Sequence, residues 1–134
     1  MIPLDEYKMS LGEFEKRLEE CRAALNPENM QQEIHALDEQ MAAPDFWNDV
    51  DNANKLNQRA RQLQNKLERY TKLKNRVDDL GALIEMAEEE DDDSLTDEIK
   101  SESAAVDAAL SAMRLEQMLK GQYDNSNAVL SLHA

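Results

Sequence analysis

Side chains able to do chemistry are sparse in this sequence. Cys21 is the only cysteine, and His35 and His133 are the only histidines, far apart along the chain. A thiol nucleophile needs a neighbour that lowers its pKa; nothing near Cys21 does so, and it reads as a small core residue. A metal site needs several ligands, and His35, which sits next to Ile34 and off the apolar stripe, reads as a solvated side chain. There is no phosphate loop, no metal-ligand cluster and no nucleophile with a nearby base. No catalytic, cofactor-binding or metal residue is assigned, and a protein that is not an enzyme is expected.

What remains is the chemistry of binding. Phe46 and Trp47 stand side by side in a turn-rich connection, and either plug the end of a helical bundle or offer an aromatic contact to a partner. Eight of the 15 basic residues (Lys55, Arg59, Arg61, Lys66, Arg69, Lys72, Lys74, Arg76) lie in one part of a long helical segment, whereas Glu85 to Glu98 holds nine acids and no base. These are solvated faces that balance one another, or part of a contact surface. Phe46, Trp47, Arg59, Lys66, Arg69 and Arg76 are the partner-binding candidates. The net charge of −14 argues against a general nucleic-acid surface, DNA included, and favours a basic protein partner. No apolar run is long enough to cross a membrane, the segment Met-Ile-Pro-Leu-Asp-Glu-Tyr is not a secretory signal, and a reducing cytoplasm is the expected location.

These residues must be held by helices. Three glycines, three prolines and a supply of Leu, Ala, Met and Ile favour an all-α chain, and 134 residues suffice for one domain. From Asp51 to Glu90 the apolar residues Leu56, Ala60, Leu63, Leu67, Tyr70, Val77 and Ile84 recur in steps of three and four, with Lys74 and Gly81 in two expected positions. That is one stripe of a helix about 60 Å long at ~1.5 Å per residue, and other helices must cover it, from this chain or from a second copy. Gly81 inside it suggests a kink or a close crossing.

A first amphipathic helix carries Leu4, Tyr7, Leu11, Phe14, Leu18, Cys21 and Leu25, with Pro3 in or before its first turn; Ser10 and Glu13 leave open a start at Leu11. Asn26-Pro27-Glu28 ends it and caps a second helix, striped by Met30, Ile34, Leu37 and Met41, to about Ala42. Pro44, Asp45, Asn48, Asp49 and Asp51 mark the turn before the long helix. The acidic run Glu88 to Asp93 marks a reversal. Ser94 with Asp97 caps a fourth helix, with Asp91 to Asp93 at its positive end. Its stripe is Leu95, Ile99, Val106, Ala109 or Leu110, Met113 and Met118, with a middle rich in Ala and Ser that permits close packing, and Gly121 is its stop. Beyond it, Gln122 to Asn127 reads as a linker, and Val129 to His133 alternates with the period of a strand.

Three segments together resemble the N-terminal domain of bacterial class I peptide chain release factors, on the release factor 2 side of that family. They are the loop Pro44-Asp45-Phe46-Trp47-Asn48-Asp49, the acidic turn Ala87-Glu88-Glu89-Glu90-Asp91-Asp92-Asp93, and Gly121-Gln122-Tyr123-Asp124 followed by Asn127-Ala128-Val129-Leu130-Ser131-Leu132-His133-Ala134. The resemblance covers nearly the whole chain and is weakest before Asn26. It implies a non-catalytic arm that reaches toward the stalk base of the large ribosomal subunit and helps the factor engage the ribosome and its recycling GTPase, in termination at UAA and UGA. The family reads stop codons through a Ser-Pro-Phe loop and cleaves peptidyl-tRNA at a Gly-Gly-Gln loop, and this sequence has no adjacent glycines and no Ser-Pro pair. A fragment of a longer factor is therefore expected.

The expected architecture is an elongated antiparallel helical bundle of three to four helices around one long central helix, with a short unpaired strand-like C-terminal tail. Residues 1–121 form the helical domain, and residues 122–134 a linker and the first strand of a decoding domain. The second, third and fourth helices form an up-down-up bundle, with the first packed along or across it. A monomer is expected; the alternative is a freestanding acidic coiled-coil adaptor that dimerises through its long helix.

Overall fold

Among the described residues the chain folds into four α-helices, α1 (Leu4–Leu25), α2 (Pro27–Met41), α3 (Val50–Glu90) and α4 (Thr96–His133), with short 3-10 turns at Phe46–Asn48 and Asp93–Leu95. The structure is a computed structural model that describes residues 4–90 and 93–133, with side chains as far as Lys120. The expected all-α class is borne out, and there is no strand among the described residues. Pro3, Asp91, Asp92 and Ala134 lie outside the described residues, as do the side chains of Tyr123, Leu130, Leu132 and His133. The chain divides into two compact units, Leu25–Lys72 and Met1–Ala24 with Leu73–Ala134, and α3 contributes to both.

In the unit Leu25–Lys72, α2 opens as its Asn-Pro-Glu signal predicts. Asn26 takes a left-handed conformation (φ 53°, ψ 72°) that asparagine tolerates better than most residues. Its Oδ1 accepts from the Asn29 amide at 3.3 Å and its carbonyl from the Met30 amide at 3.2 Å. Pro27 costs no hydrogen bond at the first helical position. Met30 and Leu37 of α2 bury against Ala60 and Leu63 of α3, flanked by Leu25, Ile34, Met41 and Leu56. Asp49 caps α3, its Oδ1 accepting from the Asn52 amide at 3.2 Å.

The other unit has a core drawn from α1 (Phe14, Leu18, Cys21), the later part of α3 (Leu73, Val77, Leu80, Ile84, Ala87) and α4 (Ile99, Val106, Leu110, Met113). Polar contacts give the helix directions. Arg17 meets Asp107 and Gln117 meets the Cys21 carbonyl, so α1 and α4 run the same way. Lys8 pairs with Glu88 while Leu11 lies beside Gly81, so α3 runs against α1. Arg76 of α3 donates to Glu102 of α4 at 2.9 Å. The up-down-up arrangement thus exists, but its members are α1, the later part of α3, and α4. The expectation that α2, α3 and α4 make one bundle is corrected, since α2 packs on the earlier part of α3 in its own unit.

The stripe of α3 also differs from its sequence reading. It passes through Leu73 and Leu80, 4% and 0% exposed, rather than stepping onto Lys74 and Gly81. Steps of three and four can alternate in either order, and the apolar side chain one position earlier takes the buried place. Gly81 serves as a close crossing, where a Cβ would lie 3.3 Å from Leu11 Cδ2. α1 is helical from Leu4, so the Ser10–Glu13 pair does not mark a start. At the other end α4 runs through Gly121 to His133, correcting the expected stop and strand-like tail. A lone strand has no partner for its backbone groups, whereas a helix pairs its own. Met118, placed on the α4 stripe by sequence, is exposed.

Candidate partner-binding surface

The connection between α2 and α3 separates the two aromatic residues. The Phe46 amide donates to the Ala43 carbonyl and the Asn48 amide to the Asp45 carbonyl, both at 3.1 Å, closing the 3-10 turn. On so tight a turn successive side chains point in different directions. Phe46 is buried, and Trp47 is 53% exposed with its ring edge-on to Phe46, centroids 5.0 Å apart and planes at 89°. The two rings thus part: Phe46 anchors the turn from inside, and Trp47 is held as an outward aromatic face.

The four basic candidates are less open. The Arg59 guanidinium forks onto Glu33, Nε to Oε1 at 3.0 Å and Nη2 to Oε2 at 3.3 Å, and joins α3 to α2. Arg76, in the other unit, donates to Glu102, a bond that raises its pKa above the ordinary arginine range. Lys66 is half-buried and Arg69 exposed, and each engages a neighbour as well. The sequence reading chose these four for their sign, and the structure uses at least Arg59 and Arg76 as clasps between helices. Of the other four basic side chains in this part of α3, Lys72 and Lys74 pair with Glu68 and Asp78, whereas Lys55 and Arg61 are exposed and in no ion pair among the described residues. Their signal in sequence is weak: Arg61 has no acid three or four residues away on α3, and Lys55 has only Asp51, one turn before it, with which it forms no ion pair.

His35 is exposed on α2 with Glu39 Oε1 at 3.2 Å, one turn along. Cys21 is 1% exposed, and burial pushes its thiol pKa up, against the smaller opposing pull of Arg114 and Arg17. This is the opposite of an activated thiol. Among the described residues no group of three or more His, Cys, Asp or Glu is placed to hold a metal ion, and no helix is long and apolar enough to cross a membrane.

Comparison with known proteins adds the family. Residues 30–134, from early α2 through all of α3 and α4, match the PCRF domain. The chain belongs to the PCRF domain family. This PCRF chain is 36% identical over 124 residues to peptide chain release factor 2 of Streptomyces avermitilis, covering 92% of the chain and 34% of the relative. It is 30% identical over 128 residues to peptide chain release factor 2 of Petrotoga mobilis, covering 96% of the chain and 34% of the relative. It is 33% identical over 132 residues to that of Staphylococcus epidermidis, covering 98% of the chain and 36% of the relative. The PCRF chain thus spans about a third of the length of the curated relatives that it matches. The resemblance to release factors read from the Phe-Trp loop, the acidic turn and the last segment is borne out.

Proposed function

We propose that this PCRF chain is the helical, non-catalytic part through which a peptide chain release factor engages the ribosome in translation termination. The single observation that carries the reading is the PCRF match over residues 30–134, in company with relatives named peptide chain release factor 2. The proposal extends to termination at UAA and UGA, to the stalk base of the large subunit and the recycling GTPase as partners, and to the cytoplasm as the place of action. Codon reading and peptidyl-tRNA hydrolysis then belong to sequence that follows residues 122–134. Trp47, exposed and braced by Phe46, is the contact residue of choice, with Lys55 and Arg61 as open charges on the same unit.

A chimera tests this. The chain replaces the segment it matches in a relative's release factor, and peptide release from stop-programmed ribosomes and factor recycling are timed against the same factor with the segment deleted. Faster turnover by the chimera, reduced by Trp47→Ala, supports the reading. Equal turnover with and without the segment overturns it.

A further inference from the structure

In the unit Met1–Ala24 with Leu73–Ala134, an open groove of about 780 Å³ lies along α1 and α4. Phe14 and the half-exposed middle of α4 at Ala104 form its floor, and Met9, 74% exposed, stands on its α1 wall. A bare methionine of that exposure, beside alanine and serine on the facing helix, is apolar surface with nothing over it, and small residues let another backbone approach closely. Ser103 also lines the groove; it is 9% exposed, and its hydroxyl has no hydrogen-bond partner.

The charged residues that line the groove are all acidic, with the Arg17 guanidinium at its edge on Asp107. Glu6, Glu13 and Asp107 line it, and no lysine or arginine does. Asp107 is occupied by Arg17, whereas Glu6 and Glu13 make no ion pair among the described residues. They stand seven residues apart, two turns along one side of α1, with Met9 and Ser10 between them. The unit as a whole carries 21 acidic against 9 basic residues.

We propose that this groove is a docking site for a basic amphipathic helix of another protein, laid along α1 and α4. Its apolar anchor sits on Phe14, Met9 and Ala104, and two lysines or arginines seven residues apart meet Glu6 and Glu13. Charge decides among occupants: a second copy of the chain would bring like charge to the rim, and nucleic acid would bring more. The proposal stands apart from the release-factor reading and needs no ribosome to be tested.

The isotope-labelled 134-residue chain is titrated with a synthetic helix of leucine, alanine and lysine bearing lysines at that spacing, and with its glutamate counterpart. Amide shifts centred on Met9, Gly12, Ser103 and Ala104 are expected with the lysine peptide only. Glu6→Lys with Glu13→Lys weakens binding by about tenfold or more, as does Ala104→Trp, while Asp5→Lys with Glu15→Lys, the same change in net charge outside the groove, weakens it far less. Equal loss in the two charge-reversed pairs means diffuse attraction to an acidic chain and overturns the proposal, as do shifts centred elsewhere. Concentration-dependent self-association moving the same amides assigns the groove to a second copy, and overturns it too.

Discussion

Leu11 of α1 lies so close to Gly81 of α3 that a methyl group added to the glycine would sit 3.3 Å from Leu11 Cδ2. The neighbour is the far end of a flexible, half-buried side chain and not backbone, so it can give by a few tenths of an ångström. Against that small cost stands the helix propensity of alanine, about 1 kcal/mol better than glycine in a helix interior. Gly81→Ala is expected to leave stability unchanged or raise it by up to ~1 kcal/mol, and Gly81→Leu to lower it by ~1 to 3 kcal/mol through overpacking. Denaturant unfolding measures both; a clear loss with alanine would show that Leu11 cannot move.

The corrected stripe of α3 separates two leucines that look alike in sequence. Leu80 is 0% exposed, and Leu80→Ala should cost ~2 to 5 kcal/mol for lost burial and the cavity left behind. Leu67 is only partly buried, and Leu67→Ala should cost about half as much or less. Equal losses in urea titrations would mean that the stripe does not run through Leu73 and Leu80.

Phe46 and Trp47 should respond oppositely to truncation. Phe46→Ala removes a buried anchor and is expected to destabilise by ~3 kcal/mol or more, whereas Trp47→Ala should stay within about 1 kcal/mol. Trp47 is the only tryptophan, so its fluorescence and acrylamide quenching report its exposure without labelling. A blue-shifted, unquenched emission would contradict an outward ring.

Cys21 makes alkaline pH destabilising. Burial raises the thiol pKa in the folded state above its unfolded value, so this contribution to stability is complete below the ordinary thiol range, about 8.5. It declines as the pH rises above that range toward the folded pKa, because the unfolded chain loses the proton first. The slope of unfolding free energy against pH on the alkaline side should flatten in Cys21→Ala. Thiol reagents should label the native chain only as fast as it opens, and labelling at the rate of a free thiol would contradict the burial.

Arg17 bonds Asp107 Oδ1 at 2.6 Å and Ser111 Oγ at 2.8 Å while lying 5.8 Å from the Phe14 ring centroid. The pair is partly exposed, so a double-mutant cycle on Arg17 and Asp107 should return a coupling of ~0.5 to 1 kcal/mol, reduced by salt. A coupling that salt leaves unchanged would point to packing of the stem rather than charge.

Local chemistry was legible in the sequence. Asn26-Pro27 sets the start of α2, Asp49 the start of α3, and the steps of three and four in Leu4 to Leu25 set the buried face of α1, because each depends only on residues within a turn or two. Partnership was not legible. That α4 joins α1 and the later part of α3, while α2 takes the earlier part, depends on which apolar faces meet across the chain, and steps of three and four look the same whatever covers them. The same ambiguity moved the seam from Lys74 and Gly81 to Leu73 and Leu80. Charge composition marked Arg59 and Arg76 as open basic side chains; tertiary packing set Glu33 and Glu102 opposite them and made them clasps. The dipeptide Phe46-Trp47 carries no sign of which ring turns inward, and only the 3-10 turn that places them decides it.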